Sequence, residues 1–364
     1  MAEATFEDPA IFKPIDMPPH QAETFVRTSL PKGLKSKGPW AFREKKAVYL
    51  PRAFMLPKRK KCLQKARPLI PATRHWLRKL HTAVARVITD LAKETYAGAT
   101  LEAPTARQAV KVIHQFCESA RQRGLADLVV LNRDLAGFFT AIPQADILRA
   151  AEELIKKHAK PFATTWFTTA IGRKKEPLRK GKHFFTGAVR MSAENVMQVI
   201  EHSFQAALFQ VGQRVYAQTR GSMIGFVLSG PLSVITIMRA EQRNIPERRL
   251  PMSQRQWAAV RYADNLITLS AGPTAKTALP EWMLGSGQYG ATVTLEFEGD
   301  LRYLGLELGP RGPIFHIGLL VPGYSELDSG GLYHERWRYR TPFAAASCKP
   351  NIAGIVTRLH SRWQ

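Results

Sequence analysis

Two β-prone runs separated by a short polar break constrain this chain more than any other feature. Gln256-Trp257-Ala258-Ala259-Val260 leads into Arg261-Tyr262-Ala263-Asp264-Asn265, and Leu266-Ile267-Thr268-Leu269 follows. Apolar, β-type residues on both sides of a polar break read as strand–turn–strand, a hairpin. A turn with Asp264 and Asn265 at its tip can aim a carboxylate at a metal ion. Asp and Asn are equally ordinary turn residues, because their short side chains bond their own backbone. The box gains meaning only from a second carboxylate elsewhere.

Charge narrows the partner. Fifty-three Lys and Arg against 29 Asp and Glu leave a formal +24, and a surface that basic attracts polyanions, of which nucleic acids and anionic membranes are the commonest. Of the 364 residues 45% are apolar, a globular composition with room for two or three lobes. Cys62, Cys117 and Cys348 show neither CxxC pairing nor metal-ligand spacing and suit a reducing compartment. No stretch has the length of a membrane span: the longest, Met223 to Met238, is broken by Gly225, Ser229, Gly230, Pro231 and Ser233. Glu3, Glu7, Asp8 and Asp16 argue against a secretory signal and an acid-poor transit peptide. The expectation is a cytosolic or nuclear protein, or one made inside the organelle where it works.

Along the chain, residues 1–45 are Pro-rich and read as an extended or partly ordered arm. Residues 50–71 place Lys58, Arg59, Lys65 and Arg67 around a turn between β-type runs, a basic hairpin suited to phosphates, or else a solvated basic cluster. Helical spacing covers Ala72 to Lys93, and a helix is expected from Thr105 to Arg123 after Pro104. Leu128-Val129-Val130-Leu131 reads as a strand running into Asn132-Arg133-Asp134, followed by an aromatic turn, Leu135 to Pro143. An ionised Asp134 at the end of a buried strand needs a cation or strong hydrogen bonds, unless it only caps the turn. Ala145 to Lys160 and Ser192 to Gln210 are expected helices, and Lys174 to Lys182 a basic solvent loop. Arg220 to Ser233 is a Gly/Ser loop entering a helix from Val234 to Glu241, with glycines that let another backbone or a base pair approach closely. Thr292 to Phe297 and Leu301 to Leu308 read as short β elements before a basic tail.

This order resembles the reverse transcriptase family, in its group II intron and organellar type, over residues 50 to 310. Asp134 through Pro143 is similar to motif A, with Phe139 as its aromatic. Gly221 through Leu232 is similar to motif B around Gly225. Arg261 through Asn265 resembles the Tyr-x-Asp-Asp box, and Tyr303-Leu304-Gly305 the primer grip. The resemblance implies an α+β right-hand polymerase fold, with an antiparallel palm sheet packed on helices. It implies an arm at 1–45, fingers at 46–126, a palm at 127–310 with a fingers insertion near 160–190, and a small thumb-like basic region at 311–364.

The implied activity is RNA-directed DNA polymerisation by two-metal nucleotidyl transfer, in which divalent ions stabilise attacking and leaving oxygens. Catalysis would fall to Asp134 and Asp264, with Asn265 and Leu135 joining them around Mg²⁺ (or Mn²⁺). Lys58, Lys65, Arg67, Phe139 and Gly225 would bind the nucleotide. Tyr303, Leu304 and Gly305 would hold the primer. The partners implied are an RNA template, a primer and dNTPs, with no membrane. The organellar type implies a mitochondrial protein of mobile-intron or retroelement origin, with the cytoplasm as the alternative.

Two departures stand out: Asn265 where the box usually has a second Asp, and Met223-Ile224 where motif B usually has Pro-Gln. Asn265 keeps an oxygen for coordination and loses the charge. It leaves open a catalytically weakened, maturase-like RNA-binding factor, and an RNA-directed RNA polymerase shares the palm. Under each reading RNA affinity is expected to fall steeply with added salt. Binding titrations across a salt series check this, and salt-insensitive binding would remove the nucleic-acid reading.

Overall fold

The expected hairpin forms, and it builds half of a four-stranded antiparallel sheet in the computed structural model. The structure describes residues 6, 8–31, 34, 49–57, 66–72, 75, 77–125, 128–162, 164–170, 176–183, 185, 187–244, 256–272, 289, 293–297, 302–303, 306–311 and 314–319. Its helices are α1 (Pro19–Thr28), α2 (Arg78–Tyr96), α3 (Ala106–Gln122), α4 (Gln144–His158), α5 (Ala193–Gln205) and α6 (Ser229–Asn244). The strands are β1 (Phe12–Ile15), β2 (Phe54–Pro57), β3 (Ala66–Leu69), β4 (Leu128–Leu135), β5 (Trp166–Ala170), β6 (Arg179–Lys180), β7 (Ala188–Ser192) and β8 (Leu208–Val211). They continue with β9 (Arg214–Gln218), β10 (Trp257–Tyr262), β11 (Asn265–Ala271), β12 (Leu295–Phe297), β13 (Arg302–Tyr303), β14 (Leu306–Arg311) and β15 (Ile314–Leu319). None of the described helices is long and apolar enough to cross a membrane.

The chain clusters into two units. One gathers residues 1–100, 136–245 and 287–294, and the other 101–135, 246–286 and 295–364. In the second unit the sheet runs β10-β11-β4-β12. Helix α3 covers one of its faces. Thr105 caps that helix by accepting the Gln108 N–H at 3.2 Å, and Ala109, Ile113, Phe116 and Ala120 form its apolar stripe. The stripe packs on Val260, Ile267, Leu269 and Ala271, all buried. Each large side chain sealed there contributes roughly 1.5–3 kcal/mol. A second small sheet, β13-β14-β15, belongs to the same unit.

The first unit packs α2, α4 and α6 against one another, with Leu80, Val84, Val87, Ile88 and Leu91 of α2 buried. Around them stand the sheets β1-β9-β8 and β6-β5-β7 and the hairpin β2-β3. Several elements differ from expectation. The segment read as an arm carries β1 and α1, and its Phe6 and Phe12 stack at 5.2 Å and meet Phe209 at 5.5 and 5.7 Å. Pro19 opens α1 with its φ already fixed. The helix expected over 192–210 stops at Gln205, and Leu208 begins a strand that turns at Gly212 (φ 58°) into β9. Within the basic loop expected at 174–182, Arg179 and Lys180 form an edge strand on Phe167 and Thr168, with Lys180 paired to Glu94 at 2.7 Å.

The first unit also buries His75, His81 and His202. The rings of His75 and His81 stack at 5.5 Å, and His75 lies 5.1 Å from Phe226. Burial, then the charge on His202, depresses His75 to about 4; burial, then His75 and His202, holds His81 well below the usual histidine range. Both are neutral in the fold and bind protons readily only when unfolded. Their contribution is therefore complete above pH 6.5 and is lost as pH falls towards 4, by about 3 kcal/mol for His75. Denaturant melts between pH 7.5 and 4.5 should show this decline, and a flat profile would contradict the neutral assignment.

Candidate active site

The second unit brings Asp134 and Asp264 to one end of its sheet. Asn265 on β11 lies opposite Asp134 on β4, Tyr262 opposite Asn265, and Glu296 on β12 opposite Asp134 from the other side. Directly paired residues of antiparallel strands project to the same face. Tyr262, Asn265, Asp134 and Glu296 thus form one row across the sheet. Asp264 sits in the turn beside the row, its carbonyl accepting the Leu135 N–H at 2.8 Å. Asn265 Nδ2 donates to Asp264 Oδ1 at 3.0 Å, so the amide expected as a metal ligand is turned towards its neighbour. Leu135 is 1% exposed and its side chain has no donor atom, which leaves only its main-chain carbonyl for a cation.

Asp134 near the end of β4 and Asp264 in the adjoining turn are both half-buried, and their carboxylates are hard oxygen donors. Among the described residues no group of three or more His, Cys, Asp or Glu could hold a metal ion. A pair of carboxylates still fits Mg²⁺, which commonly takes one or two and completes its shell with substrate phosphates and water.

Sequence reasoning passed over three residues here. Glu296 shares the row and was read only as part of a short β element. Arg133 and Arg261 are 1% and 0% exposed on the opposite face, where Arg133 Nη2 donates to Thr268 Oγ1 at 3.4 Å. A cation inside an apolar strand pattern was the available signal, since a buried guanidinium needs partners.

In the first unit the aromatic turn and the Gly/Ser loop are locked together. Gly137 (φ 64°) lets the chain fold back so that its carbonyl accepts the N–H groups of Thr140 at 2.7 Å and Ala141 at 2.6 Å. Phe139 lies edge-on to Phe138 at 5.0 Å; Phe138 is buried and Phe139 half-buried. The loop bonds this turn three times: Ser222 N–H to Phe139 O at 2.7 Å, Gly221 N–H to Ile142 O at 2.9 Å, and Arg220 Nε to Ala141 O at 2.9 Å. A Cβ at Gly221 would come within 2.1 Å of the Phe139 carbonyl oxygen, and one at Gly225 within 2.4 Å of the Ile70 carbonyl oxygen. Gly225 therefore admits the chain leaving β3, and Ile70 N–H donates to Ile224 O at 2.8 Å. The loop straps the aromatic turn to the basic hairpin strand that holds Arg67, which pairs with Leu56. Tyr303 lies in β13; Lys58, Lys65, Leu304 and Gly305 fall outside the described residues.

No protein-family model matches the sequence, and no curated protein matches it. Solved structures do. Telomerase from Candida tropicalis, in complex with a TWJ fragment of telomeric RNA, superposes with a TM-score of 0.56 at 12% identity, over 74% of this chain and 44% of that one. The Candida albicans telomerase in the corresponding complex gives 0.55 at 14% identity, over 82% and 51%. Apo telomerase from Candida tropicalis gives 0.56 at 12%, over 82% and 53%. This chain spans about half the length of those telomerases. The likeness shows the fold: helices with antiparallel sheet in the right-hand polymerase arrangement, as the motif order implies. The thumb-like region expected at 311–364 lies outside the described residues beyond 319.

The glycine contacts have a measurable consequence. Gly221→Ala combines a left-handed φ of 72° with a backbone clash and should cost roughly 3 kcal/mol or more. Gly98→Ala, with a similar φ of 65° but open space around it, should cost about 1 kcal/mol. Denaturant titration of both variants checks the ordering, and equal losses would contradict the close approach.

Proposed function

We propose that this chain is an RNA-directed DNA polymerase that extends a primer on an RNA template. The observation that carries the reading is the juxtaposition of Asp134, near the end of β4, with Asp264, in the turn between β10 and its neighbour β11, within a right-hand polymerase fold. On this reading Asp134 and Asp264 hold Mg²⁺ (or Mn²⁺), with the Leu135 carbonyl and Asn265 beside them. When bound, that ion supplies positive charge to the phosphoryl group in transfer. Lys58, Lys65 and Arg67 neutralise the incoming triphosphate. Phe139 lies under its sugar, disfavours a 2′-hydroxyl and so selects dNTPs. Gly225 keeps the loop close to the fingers hairpin. Tyr303, Leu304 and Gly305 grip the primer. The fingers, palm and thumb fall at 46–126, 127–310 and 311–364. The organellar type, a mitochondrial location and an origin in a mobile intron or retroelement rest on the motif resemblance. RNA as a partner draws support from the +24 charge and from the RNA held by the two telomerase complexes.

One observation favours a second reading. Asn265 adds no charge and its amide engages an Asp264 oxygen, as an RNA-binding factor with a weakened metal site would allow. The half-buried Phe139 speaks against an RNA-directed RNA polymerase.

Primer extension on an RNA template with Mg²⁺ or Mn²⁺ separates the readings. Wild type should incorporate dNTPs and Asp264→Ala should fall by about 10²-fold or more, as loss of a charge-stabilising group does. Equal, background-level incorporation by both would sink the polymerase reading and leave the RNA-binding one.

A further inference from the structure

The turn that presents Asp264 is held by groups outside the proposed chemistry. Ala263 has φ +56°, a left-handed conformation that two-residue hairpin loops normally give to Gly or Asn. Arg261, two residues earlier, is 0% exposed. Its Nη1 donates to the Ala263 carbonyl at 2.6 Å and stands 2.5 Å from Glu102 Oε2. Glu102 Oε1 accepts the Ala263 N–H at 3.5 Å. The backbone of 101–103 runs along β10, with Arg261 N–H to Leu101 O and Ala103 N–H to Arg261 O both at 2.7 Å. Carboxylate and guanidinium therefore close a ring on both polar groups of the one strained residue in the box.

A buried ion pair adds little stability over an apolar pair of the same volume, so stability alone does not account for this one. What it does supply is directional donors and acceptors that only the left-handed turn satisfies. Without them Ala263 has a reason to relax to negative φ, and the peptide entering Asp264 would rotate. Leu135 N–H bonds the Asp264 carbonyl and Asn265 Nδ2 its carboxylate, while the pair engages the preceding residue, Ala263. We propose that Glu102 and Arg261 form a positioning clasp that sets the direction of the Asp264 carboxylate, an inference that rests on the polymerase reading and deepens it.

The test uses the full chain with Glu102→Gln, Arg261→Lys, and Glu102→Gln combined with Ala263→Gly. Hydrogen exchange by mass spectrometry reads the hairpin at 257–271, and primer extension reads the Mg²⁺ concentration for half-maximal activity. Glu102→Gln should speed hairpin exchange by about tenfold while α2 is unchanged, and should raise the Mg²⁺ requirement severalfold. Arg261→Lys, with a single ammonium in place of the fork, should fall between Glu102→Gln and wild type. Adding Ala263→Gly removes the strain and should restore thermal stability without restoring the Mg²⁺ requirement. Recovery of both would reduce the pair to a structural role and overturn the clasp, as would unchanged exchange and Mg²⁺ dependence in folded Glu102→Gln. A wild type that extends no primer would sink the polymerase reading, and the exchange arm alone would then uphold or overturn the clasp.

Discussion

Everything at the candidate site depends on the register between β4 and β11. Side chains alternate along a strand, so a slip of one residue would turn Asp134 to the other face and bring Arg133 and Leu135 into its place. Burial forbids that slip. Leu128 and Val130 on β4, with Ile267 and Leu269 on β11, share the face that α3 seals. Arg133 on the opposite face reaches Thr268. A shifted strand would press the Arg133 guanidinium into the apolar side of α3, a cost far above any single contact. The apolar core thus sets the address of the carboxylate, and the Leu135–Asp264 hydrogen bond reads the result out at the turn.

Close backbone approach plays the corresponding part in the first unit. Gly221 and Gly225 flank three residues of loop, and each makes room for the main chain of a different neighbour, Phe139 on one side and Ile70 on the other. The contacts are carbonyls and N–H groups, so they depend on the absence of a side chain and hardly on which residues surround it. That tolerance explains how Met223 and Ile224 can occupy the loop while the strap survives. Met223 is buried beside Phe226 and Phe209, and its sequence position is used for packing.

Much of this was legible in the sequence, and the part that was not follows a pattern. The hairpin, Asp134, the aromatic turn and α3 announce themselves through local signals: β-type apolar runs around a polar break, an acidic residue at the end of an apolar run, and helical spacing after Pro104. The arm at 1–45 misled because single prolines open short elements as readily as they end long ones. Over 192–210 the apolar spacing of a helix continues into Leu208 and Phe209, and only the Val211-Gly212-Gln213-Arg214 turn signal distinguishes a strand. Glu296 and Glu102 were invisible for a different reason. Their positions are set by pairing with strands far away in sequence, with Asp134 and Arg261. No local pattern encodes that pairing. Arg261 was nominally in view as the first letter of the box, but its burial reveals a role that its identity alone does not.

Asn265 looks different once its neighbours are placed. Asp134 and Glu296 already face each other across β4 and β12, and like charges directly opposite on antiparallel strands repel. A carboxylate at 265 would put a third negative group in that row and a fourth next to it at Asp264. The amide removes one of these charges and adds a donor, which it spends on Asp264 Oδ1. With Arg261 and Glu102 fixing the turn from behind and Asn265 fixing the carboxylate from beside, Asp264 is oriented by protein contacts before any cation arrives. On the proposed polymerase reading, such an arrangement forfeits electrostatic pull and gains preorganisation, so an amide at 265 weakens attraction for a metal without dismantling the geometry that would receive it.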